Sequence, residues 1–85
     1  MITRTAVVAS QSGLHARPAA LFAKAAGESA VPVQISVDGK APVAANSLLQ
    51  VMTLGVKQGD TVTLHAEDEA VLDKLVSMLE TDLDA

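Results

Sequence analysis

Val33, Ile35 and Val37 alternate with Gln34 and Ser36, the period-two signature of a half-buried strand. This predicts a strand over Val31–Val37. Ile2, Ala6 and Val8 share one parity and Thr3 and Thr5 the other, which predicts a first strand over Ile2–Ala9. Thr61–Ala66 shows the same alternation, with Val62 and Leu64 inward and Thr61, Thr63 and His65 outward. The period then changes. Val71, Leu72, Leu75, Val76, Met78 and Leu79 follow the helical repeat, and Asp68 stands where a side-chain cap is needed. Ala16–Ala26 is rich in alanine and carries an apolar stripe of Leu21, Phe22 and Ala25, so it predicts a helix that Gly27 stops. Ser47 to Thr53 predicts a short helix ended by Gly55, and Ser47 with Gln50 has capping-box spacing.

Turn residues separate these runs. Ser10-Gln11-Ser12-Gly13 and Gln58-Gly59-Asp60 mark two turns. Asp38-Gly39 predicts a two-residue hairpin, because both positions favour positive φ. The return strand Lys40–Ala44 contains Pro42, which cannot donate to a ladder and so belongs at a sheet edge. The order is βαββαβα. The expected class is α+β: an open-faced two-layer β-sandwich, with three helices on one face of a four-stranded antiparallel sheet. Residues 1–85 are expected to form a single domain.

Composition narrows the function classes. Apolar residues make up 49% of the chain, which suits a packed core, and Phe22 is its single aromatic residue. The absence of cysteine removes disulfides and thiol chemistry, and two histidines without cysteine make a poor metal set. A net charge of −4 lacks the basic footprint of a nucleic-acid binder. Neither a signal peptide nor a membrane span is expected, so the default is a soluble cytoplasmic protein without a metal or cofactor.

Chemistry concentrates in Ser12-Gly13-Leu14-His15-Ala16-Arg17-Pro18. With His15 at the N-cap, Pro18 falls in the first turn, where no intrahelical bond needs its missing N–H. Free N–H donors then concentrate at Ala16 and Arg17. A helix N-terminus carries roughly half a unit of positive charge and favours an anion over an imidazolium. A neutral imidazole nitrogen is a nucleophile, and a phosphate added to it meets those donors. Arg17 is locally the wrong charge unless the site periodically holds a phosphate, which its guanidinium suits. The Ser12 hydroxyl adds a further donor. The plainer alternative is a surface histidine that begins a helix.

Gly13-Leu14-His15-Ala16-Arg17-Pro18-Ala19 resembles the active-site signature of the HPr family, the phosphocarriers of the bacterial phosphoenolpyruvate-dependent sugar phosphotransferase system. The resemblance extends to Asp38-Gly39-Lys40, Ser47-Leu48-Leu49 and Thr53-Leu54-Gly55. It implies that His15 accepts a phosphoryl group on Nδ1 from enzyme I and passes it to enzyme IIA domains of sugar permeases, with Arg17 as the active-site arginine. It implies a carrier and not a turnover enzyme. A self-contained enzyme acting on phosphate esters is disfavoured, since no second acid–base group or metal site accompanies His15 and Arg17. A monomer is expected.

Ser47 matches the family's regulatory serine, the target of an HPr kinase in some bacteria. This leaves an alternative role as a binding module controlled by Ser47 phosphorylation. The capping box also accounts for Ser47 by itself. Asn46 and Gln50 depart from the kinase-regulated pattern, which usually has Lys and Gly there. The resemblance further implies that Leu48, Leu49, Gln50, Met52 and Thr53 form an apolar docking patch for enzyme I and enzyme IIA; ordinary core packing is the alternative. His65 is expected to be an ordinary exposed residue, and Glu80–Asp84 a fraying helix end in solvent.

Overall fold

The computed structural model describes residues 1–83. Its elements are β1 (Ile2–Val7), α1 (Ala16–Gly27), β2 (Gln34–Ser36), β3 (Val43–Ala44), α2 (Leu48–Thr53), β4 (Thr61–Ala66) and α3 (Glu69–Leu79). The four strands form one antiparallel sheet in the order β1-β4-β2-β3. Ala6, Ile35, Val62, Leu64 and Ala66 turn one sheet face into a core shared with Phe22 of α1, Val51 of α2 and Leu72, Leu75 and Leu79 of α3. The other face is open and carries Thr3, Thr5, Gln34 and Thr61 exposed to solvent. This is the expected open-faced α+β sandwich, and β3 lies at its edge.

β4 and α3 follow their predicted patterns closely. Asp68 caps α3 by accepting from the amides of Ala70 (2.9 Å) and Val71 (3.3 Å). The other strands are shorter than their alternation predicts, each for a local reason. β1 stops at Val7 because Val8 bonds to the turn just before β4: its N–H donates to Asp60 O and its carbonyl accepts from Gly59 N. β2 loses its first three predicted residues. The Ser29 hydroxyl bonds both the carbonyl (2.8 Å) and the amide (3.1 Å) of Val31, and Pro32 has no amide to contribute. The hairpin is not a two-residue one. Residues 37–42 separate β2 from β3, with a Lys40 N–H to Val37 O bond across Asp38-Gly39, and only Gly39 has positive φ. Pro42 again truncates the return strand.

Three further expectations are corrected. Gly27 is the last residue of α1 and not its stop; the chain turns at Glu28. The Ser47–Gln50 capping box closes on one side only. Ser47 Oγ accepts from Gln50 N, but Gln50 Oε1 accepts from Ala44 N on β3. His65 is half-buried, not fully exposed, because its Nε2 lies 2.9 Å from Ser36 Oγ on the neighbouring strand.

The end of the described chain is held in place and does not fray. Ser10 is only 2% exposed, and it joins the loop after β1 to the residues after α3. Its hydroxyl donates to Thr81 O (3.4 Å) and accepts from Leu83 N (2.9 Å), while Ala9 N donates to Leu79 O (2.9 Å). Asp84, the last residue of that expectation, lies outside the described residues. Ser10→Ala is expected to lower the unfolding free energy by about 1–2 kcal/mol, measured by urea denaturation, since it strands the Leu83 amide without its acceptor.

Candidate functional site

The segment ahead of α1 is fastened at both ends. The Gly13 N–H closes a turn onto Ser10 O (2.9 Å), and the Leu14 N–H donates to Val56 O (3.1 Å). The Leu14 side chain is buried in the core, a burial that contributes about 1.5–3 kcal/mol. His15 follows this anchor directly, so the half-exposed imidazole sits on backbone that cannot drift.

Gly13 allows the approach. Its φ is +67°, and a Cβ there would collide with the Val56 carbonyl and stand 2.7 Å from Lys57 Cα. Residues 54–60 thus form the bed on which the loop lies. The Gln58 amide adds a bond from Nε2 to Ala9 O (3.0 Å). The turn signal at Ser12-Gly13 marks a bend, but this close approach comes from residues more than forty positions away and has no local sequence signal.

His15 is the N-cap of α1, in extended conformation at φ −129° and ψ 161°. Its side chain makes no capping bond, so the ring is not consumed in holding the helix. Ala16 departs from the regular first turn that the sequence predicts. Its φ is +50°, the only positive value at a non-glycine position among the described residues. That region costs a residue with a Cβ roughly 1–2 kcal/mol. The first bond back to His15 is from Ala19 N, long at 3.5 Å, and Pro18 has no donor. The amides of Ala16 and Arg17 therefore have no intrahelical acceptor. Arg17 is exposed and forms no ion pair among the described residues. His15, Ala16 and Arg17 are thus brought together at one helix start, with exposed Ser12 in the preceding turn.

The docking residues of the sequence reading divide. Leu49 is 78% exposed and Leu48 39% exposed, so both remain at the surface, whereas Val51 between their turn and the next is fully buried. Met52 is half-buried against the core. Gln50 and Thr53 are exposed but engaged: Gln50 holds Ala44 N, and Thr53 Oγ1 donates to Gln50 O (2.6 Å). Ser47 is the half-buried cap of α2. Among the described residues, no three His, Cys, Asp or Glu side chains gather as a metal cluster, and no helix is long and apolar enough to cross a membrane.

Residues 2–81 match the family described as PTS HPr component phosphorylation site. The chain belongs to this family. It is 38% identical to the phosphocarrier protein HPr of Streptomyces coelicolor over 82 residues, which span 93% of this chain and 88% of that one. Its fold is similar to a crystal structure of a phosphocarrier protein HPr from Bacillus anthracis, with a TM-score of 0.86 and 32% identity, over 92% of this chain and 95% of that one. It is also similar to Crh of Bacillus subtilis, with a TM-score of 0.71 and 37% identity, over 94% of each chain; that protein is described as a swapped-domain dimer. The family relation supports a phosphocarrier role in the phosphotransferase system.

Two substitutions test the geometry. Gly13→Ala is expected to destabilise the fold by at least about 2 kcal/mol, because positive φ and the collision with Val56 add. Ala16→Gly is expected to be neutral, or stabilising by up to about 1 kcal/mol, since glycine takes positive φ without penalty. Thermal or urea unfolding of each variant measures both.

Proposed function

We propose that this protein carries a phosphoryl group on His15, accepting it from phosphorylated enzyme I and passing it to enzyme IIA domains of sugar permeases in the cytoplasm. The observation that carries this reading is the half-exposed, uncapped imidazole beside two amides that lack intrahelical acceptors. In the forward step the Nδ1 lone pair attacks phosphorus. The N–P bond forms as the bond from phosphorus to the donor breaks, and that electron pair stays with the donor. Onward transfer reverses the roles: a nucleophile of the accepting domain donates a lone pair to phosphorus as the N–P bond breaks, and the electrons of that broken bond return to Nδ1.

The Ala16 and Arg17 amides and the Arg17 guanidinium neutralise charge on the phosphoryl oxygens, with the Ser12 hydroxyl as a further donor. Exposure serves the relay, because two different proteins must reach the same nitrogen. Leu48 and Leu49, with Gln50, Met52 and Thr53, supply the surface that both partners cover. The chain acts as a monomeric carrier rather than a turnover enzyme and requires no cofactor. An HPr kinase acting on Ser47 would modify the oxygen that caps α2.

Incubation with enzyme I and labelled phosphoenolpyruvate is expected to place one acid-labile, base-stable phosphoryl group on the protein. His15→Ala abolishes the label, and Arg17→Ala slows transfer by about tenfold or more, the loss expected when charge-assisted phosphate contacts disappear. Labelling that persists without His15 refutes the assignment.

A further inference from the structure

Arg4 is the only charged side chain between Ile2 and Leu14, and it stands on a strand at the end of the sheet. β1 pairs with β4 on one side and has no strand on the other. Val8 shows which backbone groups face outward. Its N–H bonds Asp60 O and its carbonyl bonds Gly59 N, both on the β4 side. In an antiparallel strand the N–H and C=O of one residue share a side, and successive residues alternate. Ile2, Arg4 and Ala6 therefore face β4, and the N–H and C=O groups of Thr3, Thr5 and Val7 line the outer edge.

An edge of this kind is a template for another strand. The side chains favour such pairing, since Thr3, Thr5 and Val7 are β-branched, uncharged and exposed. The edge is also self-complementary. Two copies related by a two-fold axis at Thr5 set Thr3 opposite Val7 and Arg4 opposite Ala6, so no charge faces its like.

Arg4 stands in the way. Its Nη1 donates to the Thr3 carbonyl (3.0 Å), one of the outward acceptors. Its Nη2 holds Glu69 (2.9 Å) and its Nε faces Asp73 (3.6 Å), both on α3. One planar guanidinium thus reaches from α3 to the edge and fills an acceptor that a second strand needs. Each exposed ion pair is weak alone, but together they aim the fork at Thr3.

We propose that the outer edge of β1 is a self-association surface for a second copy of this chain, and that Arg4 is the latch that keeps it closed. With the latch in place the chain stays single. Without it, two β1 strands pair antiparallel and the two sheets join into one.

The test is sedimentation velocity over a series of protein concentrations, with hydrogen exchange on the same samples. The parent is expected to sediment as one chain. Arg4→Gln is expected to shift to twice that mass as concentration rises, and exchange at the Thr3, Thr5 and Val7 amides slows at least about tenfold in the dimer. Glu69→Gln combined with Asp73→Asn keeps Arg4 but frees it from α3, and this double variant is expected to dimerise through the same amides. It carries the test by itself if Arg4→Gln does not fold. An Arg4→Gln protein that folds and stays monomeric overturns the proposal, as does a dimer in which the three amides exchange as in the parent. A double variant that stays monomeric overturns the latch, whatever Arg4→Gln does.

Discussion

The site depends on one close approach, that of Gly13 to Val56 and Lys57. No side chain fits between these backbones, so the loop after β1 can lie flat on residues 54–60. That contact puts the Leu14 amide on Val56 O and the Leu14 side chain in the core. His15 is then held by its predecessor and leaves its own ring uncommitted. The arrangement separates positioning from chemistry. Core packing and backbone bonds set the location, and the His15 side chain has no capping duty in the helix it begins.

The same economy extends outward. The bed that supports the loop runs from the end of α2 to the start of β4, so the exposed Leu48 and Leu49, the bed and β4 share one stretch of chain. Gln50 ties α2 to β3, and Lys40 ties the hairpin to the last turn of α2. Ser10 ties the loop to the residues after α3. Among the described residues, no buried side-chain nitrogen or oxygen lacks a hydrogen-bond partner. In a small domain with a modest core, such bonds hold a surface site still without disulfides or a metal.

Ala16 shows where rigidity is applied against local preference. Arg17 onwards continues as regular helix, yet Ala16 enters it through positive φ. The surrounding contacts must offset that cost: Leu14 fixed on one side, and Pro18 and Ala19 buried on the other. The residue that pays the conformational penalty is also the one whose amide stands next to the imidazole.

β4, α3 and the three-helix, four-strand order were legible in the sequence because each rests on periodicity, and periodicity is a local property. The His15-Ala16-Arg17-Pro18 helix start was legible for the same reason: a cap, a first-turn proline and a cation at fixed spacing carry their meaning without the rest of the chain. The strand ends were not, because β2 yields to a Ser29 hydroxyl and β1 to a turn fifty residues away. Nor were the positive φ of Ala16, the half-open capping box of Ser47, the His65–Ser36 bond or the pinned end of the chain. Each of these is decided by which distant group reaches a given donor or acceptor first. The sequence alone determined the order of the elements and which residues stand at the start of the first helix. Only the tertiary structure decided how the loop is seated, because a close approach between residues 13 and 56 exists only once the chain has folded.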